Sequence, residues 1–328
     1  MNYLKKFFYL LDNYMIARLQ NRASTALFWY LPEPPNITST DDLMCYKKST
    51  LTPLYLIDYR QKLKYSLENK DGIIVLPYHK PIGNQINPEA AFQYALGLHD
   101  QYCLTKQQVW LDKFFKYADY FINIQSKDGS WNYEFDWYTS KAPWHSALAQ
   151  ARGASVMLRA WLYTKNIIYL DAAKKALNKF SIPTHEDGFL HYFAEGQCFY
   201  FEEYPKTPTG VINGFMASLI SIWELNYWIN EKWLNDLWNQ GMDSLKKMLP
   251  YYTTGWWSIY DLDDATPLVN VNSPRYHLLE MHYLKVLSIL AVSPLIEEVY
   301  ETRKKQYHKL LLKYTALGTK LLRKIIYK

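Results

Sequence analysis

AFQYALGLHDQYCLTKQQVWLDKFFKYADYF, residues 91–121, carries apolar side chains at helical spacing on both sides of a short break, so it reads as helix, turn, helix. GASVMLRAWLYTKNIIYLDAAKKALNKF (153–180) repeats the pattern, a long helix ending in Thr-Lys before a Leu-Asp opens the next. The two Leu-Asp pairs, at Asp112 and Asp171, lie 59 residues apart. A third hairpin fits 214–249 and a fourth 278–312. Each unit joins one strongly apolar helix to a more amphipathic one, which stacking would place inside and outside respectively. Hairpins of this kind close into a toroid or run on as an open solenoid. The inserts at 127–144, 185–210 and 251–276 are long and rich in Gly, Trp and Tyr, and three such loops on one rim build a cleft, which favours the toroid. The expected fold is mainly α, an α/α toroid with short β-hairpins in its rim loops. Alternation in FLHYFAEGQCFYFEEY (189–204) predicts one of those hairpins, and DGIIVLPY (71–78) predicts a turn feeding a short strand. Three parts follow: 1–70, an N-terminal helical and irregular segment packing on the toroid, with LPEPPNITSTDD (31–42) as loop; 71–310, the toroid; and 311–328, a basic amphipathic tail.

Composition narrows the function. The 328 residues are 49% apolar, enough for a packed core. Net charge is +6, yet residues 301–328 hold nine Lys/Arg against Glu301 alone, leaving residues 1–300 at −2. A near-neutral body argues against a nucleic-acid partner, which needs basic residues spread over its working face. Three dispersed cysteines, Cys45, Cys103 and Cys198, form no CxxC pair or disulfide framework and suit a reducing compartment. The N-terminal MNYLKKFFYLLDNYMIARLQ imitates a signal peptide, but its apolar run stops at Asp12 without a small-residue cleavage site. With no apolar stretch of about 18 residues, the expected location is cytoplasmic, or peripheral to a membrane. Thirty Tyr, 12 Trp and 14 Phe suit flat sugar faces as well as a large aromatic core.

Phosphate-loop, dinucleotide, serine-hydrolase and zinc-protease motifs are absent, and the eight histidines are dispersed, so no histidine-built metal site is expected. Three rim clusters remain. Phe201-Glu202-Glu203-Tyr204-Pro205 leads through Thr207-Pro208 to Asn213-Gly214-Phe215; Ser258-Ile259-Tyr260-Asp261 follows Trp256-Trp257; and Pro274-Arg275-Tyr276-His277 starts a helix. A buried Glu beside a second carboxylate rises in pKa toward neutrality and becomes a usable base, whereas a solvated Glu-Glu pair would merely cap the following helix. Arg275 beside Tyr276 would lower the phenol's pKa and bind an anion, or be an ordinary exposed residue in a helix's first turn.

EEYP-x-TP-x(4)-NGF, IYD and RYH, in that order and spacing, resemble the C-terminal catalytic domain of the glucuronyl C5-epimerases, which convert glucuronate to iduronate in heparan sulfate and heparosan-type polysaccharides. Further agreement lies in Trp144-His145-Ser146-Ala147, Gln150, Ser155, Leu158-Arg159-Ala160, Gly241-Met242-Asp243 and Met248-Leu249-Pro250, so that the likeness covers about residues 70–310 of a short, bacterial-like member. The resemblance implies an α/α toroid, a uronate-containing polysaccharide substrate, no cofactor, and catalysis by Glu203 and Tyr276 with Tyr204 and Tyr260 lining the site. Substrate-binding residues expected with them are Arg152, Gln150, Asn213, Arg275, Trp144, Trp131 and His277. Two positions depart from the pattern: Asp263-Asp264 stand where relatives carry Arg, and Arg152 where they carry Gln. Arg152 is expected to take over the hold on the substrate carboxylate. Inverting C5 needs two acid–base groups flanking the ring, since one cannot reach both faces. A polysaccharide lyase would begin with the same proton abstraction, and a non-catalytic glycan-binding toroid would keep the same aromatic cleft. The tail LLLKYTALGTKLLRKIIYK (310–328) reads as a peripheral membrane contact, a solvated terminal helix or a homodimer contact.

Overall fold

The computed structural model describes residues 20, 23–31, 33–137, 139–193, 196–263 and 266–327. Residues 1–19 of the imitation signal peptide lie outside them. Eleven helices are described: α1 Thr25–Tyr30, α2 Thr40–Lys48, α3 Pro88–Thr105, α4 Gln108–Ile124, α5 Ala147–Thr164, α6 Ile167–Asn178, α7 Ile212–Ile229, α8 Lys232–Met248, α9 Pro274–Ala291, α10 Pro294–Tyr307 and α11 Leu310–Tyr327. Two antiparallel two-stranded sheets accompany them, β1 Leu76–Pro77 with β2 Asn84–Gln85, and β3 Leu190–Phe193 with β4 Cys198–Phe201. The latter is the rim hairpin that alternation predicted, in register Leu190 to Phe201.

Helices α3 to α10 form four hairpins, α3–α4, α5–α6, α7–α8 and α9–α10. Every first helix is 18 residues long and ends on a left-handed residue: Lys106, Lys165, Asn230 or Val292. These four line the inside, α3 against α5, α5 against α7 and α7 against α9. The first three are buried almost all round for most of their length, as in α7 from Ile212 to Leu225, and α9 buries half of its residues. Their partners bury one stripe only, for example Leu111, Phe114, Tyr117, Ala118 and Phe121 of α4, the three-and-four spacing of a helix with one wet face. The result is the expected α/α toroid. Its interior is polar where charges pair: Arg159 of α5 gives two hydrogen bonds to Glu224 of α7, at 2.8 and 2.7 Å.

The N-terminal segment fills the gap between α3 and α9. The turn Arg60–Lys64 packs along α3, where Gly97 leaves room for the Tyr59 carbonyl that a Cβ would meet at 2.7 Å, and α2 leans on α9. Residues 40–42, expected within a loop, instead open α2, because Ser39 and Asp42 form a reciprocal capping box. With the hairpin turns all at one end, the N-termini of α3, α5, α7 and α9 gather at the other, among the long inserts.

Candidate active site

Glu202 and Glu203 divide their work by direction. Glu202 turns inward, its carboxylate accepting from the Gly210 N–H at 3.0 Å and the Thr209 N–H at 3.3 Å, which staples the loop's two ends together. Glu203 is thereby presented over the first turn of α7. Gly214 makes space for it: a Cβ there would come within 2.8 Å of Glu203 Oε2. Burial lifts Glu203 to about 7; a hydrogen bond from the neighbouring Tyr204 hydroxyl opposes the rise and Asp261 adds to it. Burial, which the sequence reading required, does most of the lifting, and the second carboxylate that adds to it is Asp261, where Glu202 was expected.

Tyr260 arrives from a second segment, held by its own N–H to Asn270 O (2.7 Å) and by its carbonyl accepting from Ile212 N–H (3.2 Å) at the start of α7. Tyr276 comes from a third, in the first turn of α9 capped by Ser273. The Tyr260 and Tyr276 rings meet edge-on at 5.2 Å. Tyr204 and Tyr260 are held protonated, their phenols pushed well up by burial first and then by Glu203 and by one another's neighbourhood, Tyr276 included. Three segments remote in sequence thus bring Glu203, Tyr204, Tyr260 and Tyr276 within reach of one another at the rim. Asn213, 3% exposed in the first turn of α7, leaves both side-chain amide atoms without a hydrogen-bond partner beside it. An orphaned buried amide at a helix N-terminus is costly unless a ligand satisfies it.

The remaining expected contacts fall in different places. Trp144 forms a floor, stacked on Tyr133 at 4.0 Å and 6.0 Å from the Tyr204 ring. Arg275 stands at the rim, its Nη2 4.0 Å from Glu33 Oε1 of the N-terminal segment. Trp131, Gln150 and His277 are corrections: each is fully buried with its polar atoms committed to the framework. Gln150 clamps the Trp131 backbone through Oε1 (3.0 Å) and Nε2 (2.9 Å), and Trp131 Nε1 donates to Phe121 O. His277 Nε2 donates to Arg303 O at 2.9 Å, its Nδ1 pairs with Ser258 Oγ at 2.7 Å, and burial holds it down at about 3. Arg152 is also displaced from its expected position. It has no exposed surface, and its terminal nitrogens donate to Tyr55 (2.5 Å) and Tyr283 (2.8 Å) inside the toroid, with Glu89 at 3.5 Å.

Two further charged groups near these residues escaped the sequence reading. Glu89, in the first turn of α3, is raised to about 8 by burial and feels Glu203 among its charged neighbours. Lys320 of α11 places its ammonium 4.4 Å over the Tyr260 ring and donates to Asn270 Oδ1 at 2.6 Å; Asn270 in turn donates to Asp261 at 2.6 Å. Next to it, Arg323 pairs with Asp263, one of the two acids that depart from the family pattern; Asp264 lies outside the described residues. Opposite charges at 261/263 and 320/323 were the available signal. Among the described residues, no three His, Cys, Asp or Glu side chains converge as a metal site would require.

Comparison with known proteins agrees with the rim motifs. A D-glucuronyl C5-epimerase of Caenorhabditis elegans is 34% identical over 193 residues, 52% of this chain and 31% of that protein. An uncharacterised protein of Methanocaldococcus jannaschii is 31% identical over 134 residues, 40% of this chain and 44% of that one. The match thus spans less than half the length of either relative. Among solved structures, a family 76 mannosidase from Bacteroides thetaiotaomicron aligns with a TM-score of 0.48 at 16% identity, covering 74% of this chain and 65% of that one. An unsaturated glucuronyl hydrolase from Bacillus sp. GL1 aligns at 0.46 and 13%, covering 70% and 61%. The family described as D-glucuronyl C5-epimerase C-terminus matches residues 125–305, more than half of the chain and all three rim clusters, and the chain belongs to that family.

Proposed function

We propose that the chain is a C5-epimerase that converts D-glucuronate to L-iduronate units within a heparosan-like polysaccharide. The observation that carries this reading is a carboxyl raised to about 7, Glu203, hydrogen-bonded to the Tyr204 phenol and set close to that of Tyr260, whose ring meets that of Tyr276 at 5.2 Å. In this scheme Glu203 and Tyr276 flank C5 of the bound uronate. One takes the C5 proton, leaving a carbanion delocalised into the carboxylate as an enediolate-like species. The other returns a proton to the opposite face, and the two have then exchanged protonation states. Tyr204, hydrogen-bonded to Glu203, gives the proton a path by which the site resets. The extra charge on the substrate carboxylate falls among donors that do not have to reorganise: the Tyr204 and Tyr260 hydroxyls, the Asn213 amide and the positive ends of the inner helices. Arg275 at the rim attracts the anionic polymer, while buried Arg152 positions the wall beneath. No step in the scheme calls on a metal or nicotinamide.

Incubation with unsulfated glucuronate polymers in deuterated water, followed at C5 by NMR, tests the reading. Deuterium at C5 with iduronate formed and no chain cleavage is the expected result. Unsaturated ends would make the protein a lyase, and no exchange on any uronate polymer would make it a binding module.

A further inference from the structure

The last helix, α11, has apolar side chains on the side that faces solvent as well as on part of the side that faces the protein. Its protein-facing side is mixed: Leu312 and Ala316 pack in the cluster with Trp257 and Val271, while Lys320 reaches Asn270, and Arg323, buried, reaches Asp263, Thr266 and the Leu268 carbonyl. Its solvent side is apolar. Leu311 is 78% exposed and Tyr314 70%, with Leu317, Leu322, Ile325 and Ile326 exposed along the same face. At about 100° per residue these side chains cover roughly half the helix circumference. Such exposure in one continuous patch marks an interaction surface rather than scattered surface apolarity.

Two features identify what covers it. A second copy of the helix would meet a narrow seam and leave the flanks of a half-cylinder in water, whereas a bilayer surface wets the whole of it. Charge points the same way: Arg303 and Arg323 are buried against Glu280 and Asp263, but Lys305 and Lys309, just before α11, are exposed. We propose that α11 is an in-plane docking helix, its apolar half seated at the surface of an anionic lipid bilayer. Through Lys320 its inner face touches Tyr260, so docking sets the catalytic rim beside the membrane.

Co-sedimentation of the full chain with phosphatidylcholine vesicles, with and without about one-third phosphatidylglycerol, tests this without requiring turnover, so its failure and that of the epimerase reading are separate results. Binding to the anionic vesicles is expected, weakened several-fold between about 0.1 and 0.5 M salt. The triple variant Leu311→Glu, Leu322→Glu, Ile325→Glu should lose it by about tenfold or more with its melting unchanged. Lys305→Gln and Lys309→Gln, which leave the apolar face intact, should each weaken it about fivefold. Failure of the wild type to sediment with either vesicle overturns the proposal. So does a wild-type dimer that the triple variant splits into monomers, since a second copy would then cover the face.

Discussion

Adjacent Glu202 and Glu203 show how far environment separates identical residues. Both are lifted by burial, to about 8 and about 7, yet Glu202 spends its lone pairs on two backbone N–H groups while Glu203 meets the phenols of Tyr204 and Tyr260. If Glu203 is the base in one direction of the reaction, that direction accelerates as pH rises through about 7, and the reverse direction, which needs the protonated acid, slows over the same range. The buried phenols of Tyr204 and Tyr260 titrate well above this window and leave the limb undistorted. Initial rates of C5 exchange against pH check this, and Glu203→Gln should abolish the limb with a loss of about 10²–10⁴ in rate. The same shift has a stability consequence. Because the folded value lies above the ordinary 4.5, the proton-linked stabilisation is whole below about 4.5 and is lost as pH rises through about 7. Glu203→Gln should therefore melt higher than wild type at about pH 8 and equally at about pH 4.

Among elements, the four inner helices are near copies: 18 residues, a left-handed cap, then the outer helix after one further residue. Asn230 tolerates that cap well, and the two lysines tolerably. Val292, at φ 48°, does not, since a β-branched side chain crowds its own backbone there. It is 78% exposed and forfeits no packing if removed. Val292→Gly should raise stability by about 1 kcal/mol, or about 2 °C in Tm, measurable by thermal denaturation. The Thr-Lys endings at 105–106 and 164–165 made the first two caps legible in sequence, and the regular length made the other two recognisable once aligned.

Across the whole molecule, hairpins sequential in the chain are held together at buried ion pairs. Arg159 and Glu224 are both fully buried, and Tyr46 of α2 donates to the same carboxylate at 2.8 Å, tying the N-terminal segment to α5 and α7. Removing one partner strands a charge in the interior. Arg159→Ala should cost about 3–5 kcal/mol in urea denaturation, far more than loss of an exposed pair such as Lys232–Asp236.

Periodicity and local spacing determined the hairpins, the rim hairpin at 190–201 and the family motifs, because helix faces, strand alternation and loop chemistry are written within a few residues. Glu203, Tyr204, Tyr260 and Tyr276 stand out as candidates because those motifs, by their resemblance to the family's, single them out. What neighbours what across the toroid was decided only by folding. Gln150, His277 and Arg152 look as suitable for binding as Asn213 does, but the packing of other helices closes over the first three and leaves the Asn213 amide unsatisfied. Lys320 and Glu89 lie 60 residues after Tyr260 and 114 before Glu203, separations at which sequence carries no contact signal. Burial, which lifts Glu203 toward neutrality, is likewise a property of the assembled rim, since dehydration of one carboxyl depends on every segment that shields it from water.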